Sequence, residues 1–183
     1  MSVQIACRVS LKLVVRTMAL VAFVTVSQAT AGAATLSEVN GWLASTNKVV
    51  RTPAPGGMHP DGQSEYVRVA GTDVSGWVVP GAVGHGFLAN DQEVMIVPLV
   101  SGGSGGVFTT LLFTRSGGRV QFVGIIPSRN GHLDVSLSDG RLLVRTPVYK
   151  PSDPNCCPSA IHYERDTLRG TKLVKLGSYD ARN

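Results

Sequence analysis

The sequence predicts a mainly β protein: a single antiparallel domain, built as a meander of hairpins, with one short N-terminal helix. Three observations support this class. Short apolar runs alternate with turn dipeptides such as Gly117-Gly118, Asn130-Gly131 and Asp139-Gly140, which supply the positive φ angles of tight hairpins. One short stretch has the apolar period of a helix. The 183 residues, 43% hydrophobic and 16% charged, suit one globular domain with its own core.

Residues 1–34 are predicted to be a secretory signal peptide. A basic start is followed by an apolar run at 18–26 and by a small-residue tract at 27–34. Cleavage can follow Ala31, Ala33 or Ala34. The run is shorter than the roughly 20 residues of a membrane span, so an uncleaved anchor or a buried helix is the less favoured interpretation. We expect the mature domain, 35–183, to be exported to the periplasm or the extracellular space, without a stable membrane span.

Removal of the signal peptide would change the net charge of the protein. The signal peptide holds three of the 17 basic residues, Arg8, Lys12 and Arg16, and no acidic one. The mature domain keeps 14 basic and 12 acidic residues. It therefore lacks the strong basic excess of a nucleic-acid-binding domain. Nucleic acid is therefore not an expected partner. An unidentified protein or envelope ligand is expected instead.

The helix is predicted to follow the signal peptide directly. Thr35 and Glu38 have the spacing of a capping box. The next apolar residues fall on one helical face, which continues to about Ser45. These residues are Leu36, Val39, Trp42 and Leu43.

The segment 51–63 is predicted to be a long surface loop, because its three prolines and three glycines exclude a regular element. Long loops carry function more often than core strands do, so Met58 and His59 are candidate binding residues. A connector without a function is the plainer interpretation. His85 lies between two glycines, and we predict a loop and a third candidate binding residue there.

Strands are predicted at 65–70 and 76–79, and in a hairpin series from residue 93 onward. Trp77, in the second of these strands, is expected to be a core residue. Pro98 lies inside the apolar run 93–100. Because proline cannot donate to a ladder, it predicts an edge position or a bulge.

Two-residue turns fix two hairpin registers. A Gly117-Gly118 turn places Phe113 opposite Phe122 as an aromatic pair. An Asp139-Gly140 turn places Asp134 opposite Arg145, which predicts an ion pair on the exposed face. The same turn opposes two apolar pairs, Leu137 with Leu142 and Val135 with Val144. The last hairpin is predicted over 160–177, and the tail from Tyr179 is expected to fray.

Cys156 and Cys157 are the cysteines that the mature domain keeps. Neighbouring Cα atoms lie about 3.8 Å apart, closer than a relaxed disulfide requires, so a bridge between them would be strained and easily reduced. Three interpretations remain open: a ring that locks the loop, a redox-active pair, or thiols that bond other chains. The lock is favoured because three prolines stiffen the segment. Asp153 and Asn155, in the same loop, are further candidate binding residues.

The motif Asp153-Pro154-Asn155-Cys156-Cys157-Pro158-Ser159 lies between two predicted strands. It resembles the D-P-x-C-C-P-S/T signature of small exported bacterial proteins, including the LppP/LprE lipoprotein family of actinobacteria. The likeness extends over about residues 86 to 177, where the order of strands and turns is similar. It implies an exported location and no particular activity, since none is assigned to that family. The chain lacks a lipobox cysteine, so a soluble protein without a lipid anchor is implied.

No catalytic motif lies in the context that its chemistry requires. Ser104 is the centre of a G-x-S-x-G match, but the hydrolase elbow needs a helix after it, and a predicted strand follows here. The four histidines have no metal-ligand spacing, and adjacent cysteines differ from the usual C-x₂-C clip. We therefore predict no catalytic residue, no metal site and no cofactor.

Together these patterns predict an exported, non-catalytic binding or structural module with an unknown ligand. The alternative is a thiol-redox or metal-handling protein that uses Cys156 and Cys157. A serine hydrolase that uses Ser104 is the third candidate.

Overall fold

The computed structural model describes residues 32–55, 65–101, 106–128, 132–154 and 157–182. Within these ranges, strands form two antiparallel sheets and there is one short α-helix. The mainly β class is confirmed. Several predicted features lie outside the described residues: residues 1–31 of the signal peptide, Met58, His59, Ser104, the Asn130-Gly131 turn, Asn155 and Cys156.

The larger sheet contains eight strands and the smaller sheet is a four-stranded meander. The larger sheet is built from β1 (Gly32–Ala33), β2 (Val49–Arg51), β3 (Glu65–Val69), β4 (Ser75–Val78), β5 (Gly84–Phe87), β6 (Glu93–Val100), β7 (Val107–Ser116) and β8 (Arg119–Pro127). The smaller sheet is built from β9 (Asp134–Ser138), β10 (Arg141–Val148), β11 (Ala160–Arg169) and β12 (Lys172–Arg182). Helix α1 spans Leu36–Ala44, and a 3₁₀ turn spans Pro80–Ala82.

Helix α1 begins with the predicted capping box. Thr35 Oγ1 accepts the backbone N–H of Glu38 at 3.2 Å, and the Glu38 carboxylate accepts the backbone N–H of Thr35 at 2.8 Å. This exchange satisfies two N–H groups that a helix start leaves without partners. Leu36 is 40% exposed. The other three predicted apolar residues are buried against the larger sheet: Val39, Trp42 and Leu43.

Strand β1 lies before the predicted start of the domain at residue 35. Gly32 and Ala33 pair with β5. The backbone N–H of Ala34 donates to the carbonyl of Val83 at 3.3 Å, and Ala34 is 7% exposed. Residues 32–34 therefore belong to the folded domain.

Strand β6 is the centre of the larger sheet. One edge pairs with β7 along its whole length, and the other edge pairs first with β5 and then with β4. Pro98 lies in the interval between the β5 and β4 pairings, and a register shift follows it between Leu99 and Val100. The predicted irregularity is present beside the proline. The alternative of an edge strand is wrong, because β6 is interior and the missing N–H is accommodated by a gap between its neighbours.

The β7–β8 hairpin has the predicted register. Gly117 and Gly118 have φ angles of 56° and 76°, as a two-residue type I′ turn requires. Phe113 lies opposite Phe122, and the ring centroids are 5.4 Å apart in an edge-to-face arrangement.

The β9–β10 hairpin also has its predicted register, with φ angles of 51° at Asp139 and 66° at Gly140. Asp134 lies opposite Arg145, and their side chains form the predicted ion pair. A Cβ atom at Gly140 would lie 2.8 Å from the backbone nitrogen of Ala89, which donates a 2.7 Å hydrogen bond to the Gly140 carbonyl. The turn therefore needs glycine for its conformation and for its contact with the larger sheet.

Two hydrophobic clusters cover the two faces of β6, since successive residues of a strand point to opposite faces. On one face, α1 packs on Met95, Val97, Leu111 and Phe113. On the other face, the smaller sheet packs on the larger one through Val94, Ile96, Leu112, Val135, Leu142 and Leu168.

The C-terminal residues continue β12, which pairs with β11 as far as Arg182. The Tyr179 ring stacks on Tyr163 with centroids 4.8 Å apart, and Asp180 Oδ1 lies 2.5 Å from His162 Nδ1. The expectation that the tail frays is wrong, because these cross-strand contacts extend the ladder beyond the last apolar residues.

Candidate functional site

A cleft of about 660 Å³ lies beside β10 and β11. We name it the Tyr163 cleft. Its walls combine apolar and polar side chains in equal number. The apolar ones are Val107, Leu133, Pro147, Pro158 and Ile161, and the polar ones are His132, Asp134, Arg145, Tyr149 and Tyr163.

The registers of the smaller sheet align one row of side chains across all four strands. Asp134 lies opposite Arg145, Arg145 opposite Tyr163, and Tyr163 opposite Tyr179. Directly opposed residues project from the same face of a sheet. The row therefore places a carboxylate, a guanidinium and two phenol rings side by side, and its first three members line the cleft.

Tyr163 is fixed by its neighbours. Its ring is parallel to that of Tyr179, with an interplanar angle of 2°, and the Arg165 guanidinium lies 5.3 Å from the centre of the Tyr179 ring. One face of the Tyr163 ring is thus covered by Tyr179. Tyr163 also lines the cleft, and Arg145 lies opposite it on the other neighbouring strand.

Arg145 has hydrogen-bonding capacity that its partner does not use. One guanidinium nitrogen contacts the carboxylate of Asp134. The side chains are 41% and 52% exposed, so the pair is open to solvent. Arg145 Nε is shielded from solvent and has no acceptor among the described residues. A donor left without an acceptor is unfavourable by about 1–3 kcal/mol, so a rearrangement that supplies one is favoured.

Asp153 closes the loop that ends at the cleft wall. Its carboxylate accepts the backbone N–H of Lys150 at 2.8 Å, the backbone N–H of Ser159 at 2.9 Å and the Ser159 hydroxyl at 2.6 Å. The Ser159 hydroxyl and then the Lys150 N–H hold the pKa of Asp153 below its usual value. Asp153 therefore joins the two ends of the loop, and Pro158, beside Ser159, lines the cleft.

The role of the cysteine pair stays a prediction. Cys157 is exposed, whereas Cys156 lies outside the described residues, so neither a bridge nor a redox pair is tested. The predicted binding roles of Met58, His59 and Asn155 likewise fall outside the described ranges. No three His, Cys, Asp or Glu side chains in the described part of the chain converge as a metal site would require.

His85 lies in β5, so its predicted place in a loop is wrong. The flanking glycines suggested a loop, but Gly84 and Gly86 pair with the long apolar strand β6. His85 Nε2 lies 2.8 Å from Glu93 Oε1, and its ring meets Trp42 edge-on at 5.7 Å.

His85 belongs to a second polar cluster, which we name the Trp42 cluster. It consists of Trp42, His85, Glu93 and Arg115. Arg115 Nη1 lies 3.1 Å from Glu93 Oε2, and its guanidinium lies 4.7 Å from the centre of the Trp42 ring. Each of the three ionisable side chains therefore has a partner within the cluster.

Sequence reasoning missed the cleft. It predicted the Asp134–Arg145 pair, but only as a stabilising contact within one hairpin. The sequence did contain one signal for the cleft. Ile161, Tyr163 and Arg165 alternate along β11 and therefore share a face of the sheet. Their partners on β10 depend on the β10–β11 register. No short turn specifies that register, because the loop 149–159, which we name the cysteine loop, separates the two strands.

The chain matches no family model, no curated protein and no solved structure. The resemblance to the LppP/LprE family consequently stays a prediction. None of the helices in the described ranges is long and apolar enough to cross a membrane.

Proposed function

We propose that the chain is an exported, non-catalytic binding module whose ligand occupies the Tyr163 cleft. One observation carries the proposal: a prearranged tyrosine ring lies beside an open Asp134–Arg145 pair in a cleft that apolar and polar side chains line in equal number. Small-molecule sites are concave and largely apolar, with a few polar groups that orient the ligand. The cleft is concave, half of its lining side chains are apolar, and its polar groups include Asp134, Arg145 and Tyr163.

Export is supported by the three-part pattern of the first 34 residues. Residues 32–34 pair with β5 and contact Val83. Of the three predicted cleavage points, the one after Ala31 leaves these contacts in place. N-terminal sequencing of the exported protein should therefore begin at Gly32, and a start at Thr35 would contradict this choice.

Binding rather than catalysis is supported by the chemistry of the lining side chains. Among the described residues that line the cleft there is no serine, cysteine or lysine nucleophile. The Asp134 carboxylate contacts Arg145, which favours its use as a fixed acceptor. The cleft is therefore proposed to hold a ligand without transforming it.

A fragment library screened by two-dimensional amide NMR on the mature protein tests the proposal. Bound fragments should shift the amides of 132–134, 145–149 and 158–163, and leave those around Arg115 unchanged. Tyr163→Ala should abolish these shifts. Phe87→Ala is the matched control, because it removes another exposed ring, 48% exposed and on β5. Fragments that bind only outside the cleft would contradict the proposal.

The cysteine-based alternative predicts a different result. If the protein acts through thiol chemistry, replacing Cys156 and Cys157 by serine should remove its activity in any redox assay. The binding module predicts that the doubly substituted protein still binds fragments in the cleft, because the Asp153 hydrogen bonds hold the loop ends without sulfur.

A further inference from the structure

The polar groups of the Tyr163 cleft determine the charge of a suitable ligand. Asp134 and Arg145 form an ion pair, so their charges balance. An anionic ligand would have to displace Asp134 from Arg145, and a cationic ligand would have to displace Arg145 from Asp134. A neutral ligand can contact both groups without breaking the pair.

The same pair determines which hydrogen bonds the ligand must make. Asp134 offers acceptor oxygens and Arg145 offers guanidinium N–H donors, and the two side chains are 52% and 41% exposed. A matching ligand carries groups that donate and accept at adjacent positions. Hydroxyl groups do both.

Peptides fit this arrangement poorly. Binding by strand addition uses unpaired backbone groups at a sheet edge. Strand β10 pairs with β11 throughout the cleft and with β9 as far as Arg145, and Pro147, which also lines the cleft, has no backbone N–H to donate. Proline-rich peptides bind aromatic grooves without such pairing. Their prolines lack N–H groups, so they offer nothing that Asp134 could accept.

The Tyr163 ring adds a flat apolar surface. Its position is fixed by Tyr179 on one side, so little side-chain freedom is lost when a ligand covers the other face. A pyranose ring has an apolar face of C–H groups and a rim of neutral hydroxyls, and it complements both the ring and the ion pair.

We infer that the Tyr163 cleft binds a neutral saccharide, with one sugar ring stacked on Tyr163 and its hydroxyl groups bonded to Asp134 and Arg145. The inference rests on the proposed function, since it names the ligand class of the same cleft.

An immobilised array of neutral and acidic oligosaccharides, probed with the labelled mature protein, is the first test. Neutral oligosaccharides should be retained and acidic ones should not. NMR titration with the best neutral oligosaccharide should shift the cleft amides. Its Kd should change less than about twofold when salt rises from about 0.05 to about 0.5 M, because screening acts on charge–charge attraction.

Variants then assign the binding to the named residues. Tyr163→Ala should weaken binding at least about tenfold, equivalent to about 1.4 kcal/mol. Tyr163→Phe keeps the ring and should lose less than about threefold. Arg145→Gln should also weaken binding about tenfold. Phe87→Ala should leave the Kd unchanged, and circular dichroism checks that each variant is folded.

The outcomes separate the inference from the function on which it rests. Fragments in the cleft with no neutral oligosaccharide retained would overturn the saccharide inference and leave the binding module standing. Retention of acidic oligosaccharides alone, or a cleft occupied by a proline-rich peptide in a parallel titration, would also overturn the inference. Absence of both fragments and saccharides from the cleft would overturn both.

Discussion

The Trp42 cluster and the Tyr163 cleft contain the same kinds of group in different settings. Each joins an aromatic ring, an arginine and a carboxylate. In the Trp42 cluster the ring is 2% exposed, and the Glu93 side chain, 16% exposed, contacts both His85 and Arg115. In the cleft the ring is half-buried, and Asp134 contacts Arg145 while more than half of its side chain stays exposed.

The difference indicates that residue type alone does not identify a binding site. In the Trp42 cluster, Glu93 contacts both His85 and Arg115, and the Trp42 ring of α1 lies against both of those side chains, so the cluster holds α1 against the larger sheet. The Tyr163 cleft leaves a ring face and part of a guanidinium available. The two arginines are about equally exposed, so the burial of the ring and of the carboxylate separates the stabilising cluster from the candidate site. Substitutions should reveal that separation as a difference in stability.

The largest contrast is expected between the two rings. Trp42→Ala should lower the free energy of unfolding by about 3–5 kcal/mol, because a buried indole leaves a cavity that the surroundings fill only partly. Tyr163→Ala should lower it by about 1 kcal/mol, the loss of a partly exposed stacking contact. Urea denaturation of both variants at pH 7 measures the contrast. Equal losses would show that the Tyr163 ring has a structural role as large as that of Trp42.

The carboxylates of Glu93 and Asp134 should also differ in their contribution to stability, with the larger loss again in the Trp42 cluster. Glu93→Gln should cost about 2 kcal/mol, because His85 and Arg115 lose a charged acceptor at a site with little solvent. Asp134→Asn should cost less than about 1 kcal/mol, the usual value for an exposed ion pair. Comparable urea midpoints for these two isosteric variants would contradict the distinction between a buried and an exposed carboxylate.

A third carboxylate, Asp166, sharpens the comparison because it forms no ion pair with an arginine in the described part of the chain. It is 1% exposed, and its Oδ1 has no hydrogen-bond partner among the described residues. Burial, followed by the nearby Glu164 carboxylate, raises the pKa of Asp166 from 3.8 to about 6, and Lys175 opposes the shift. The effect of burial exceeds that of the Lys175 cation, so Asp166 holds its proton to a higher pH in the folded protein than in the unfolded chain.

This raised pKa predicts a specific pH dependence. Between about pH 4 and 6 the folded protein binds a proton that the unfolded chain has released, so the contribution of Asp166 to stability falls as pH rises through this window. Asp166→Asn should remove this decrease of the free energy of unfolding with rising pH. At pH 7 it should raise the free energy of unfolding by roughly 1–2 kcal/mol. Urea denaturation at pH 4, 5, 6 and 7 measures it, with the exposed Asp73→Asn as control. A slope that persists in the Asp166 variant would assign it to another group.

The sequence predicted those parts of the fold that short-range chemistry determines. The Thr35–Glu38 capping box and the Asp139-Gly140 turn each involve residues within a few positions of one another, and both were predicted correctly. The Asp134–Arg145 contact followed from the same turn, since a two-residue loop leaves one register.

The parts that failed depend on strands distant in sequence. His85 was placed in a loop because its own neighbours are glycines, whereas β6 supplies the pairing that makes it a strand residue. Pro98 predicts an edge position or a bulge, and only the irregularity is found, because nothing local reveals that two strands share one edge of β6. Tyr163 meets Arg145 and Tyr179 only through the β10–β11 and β11–β12 registers, so the candidate site arises from long-range pairing.

The smallest expected effect concerns Asp153, which links the cysteine loop to the cleft. Asp153→Ala removes the acceptor of the Lys150 and Ser159 N–H groups, so hydrogen exchange at the Ser159 amide should accelerate several-fold while the global urea midpoint hardly moves. In the wild type the lowered pKa means that the carboxylate supports the loop above its usual pKa and loses that effect as pH falls through the lower folded value. Hydrogen exchange at the Ser159 amide should therefore depend on the titration of Asp153 in the wild type and not in the variant.

Ser152→Ala, in the same loop, is the control. If Asp153→Ala left the exchange of Ser159 unchanged, the loop would have to be held by other contacts, and Pro158 would owe its place at the cleft to those.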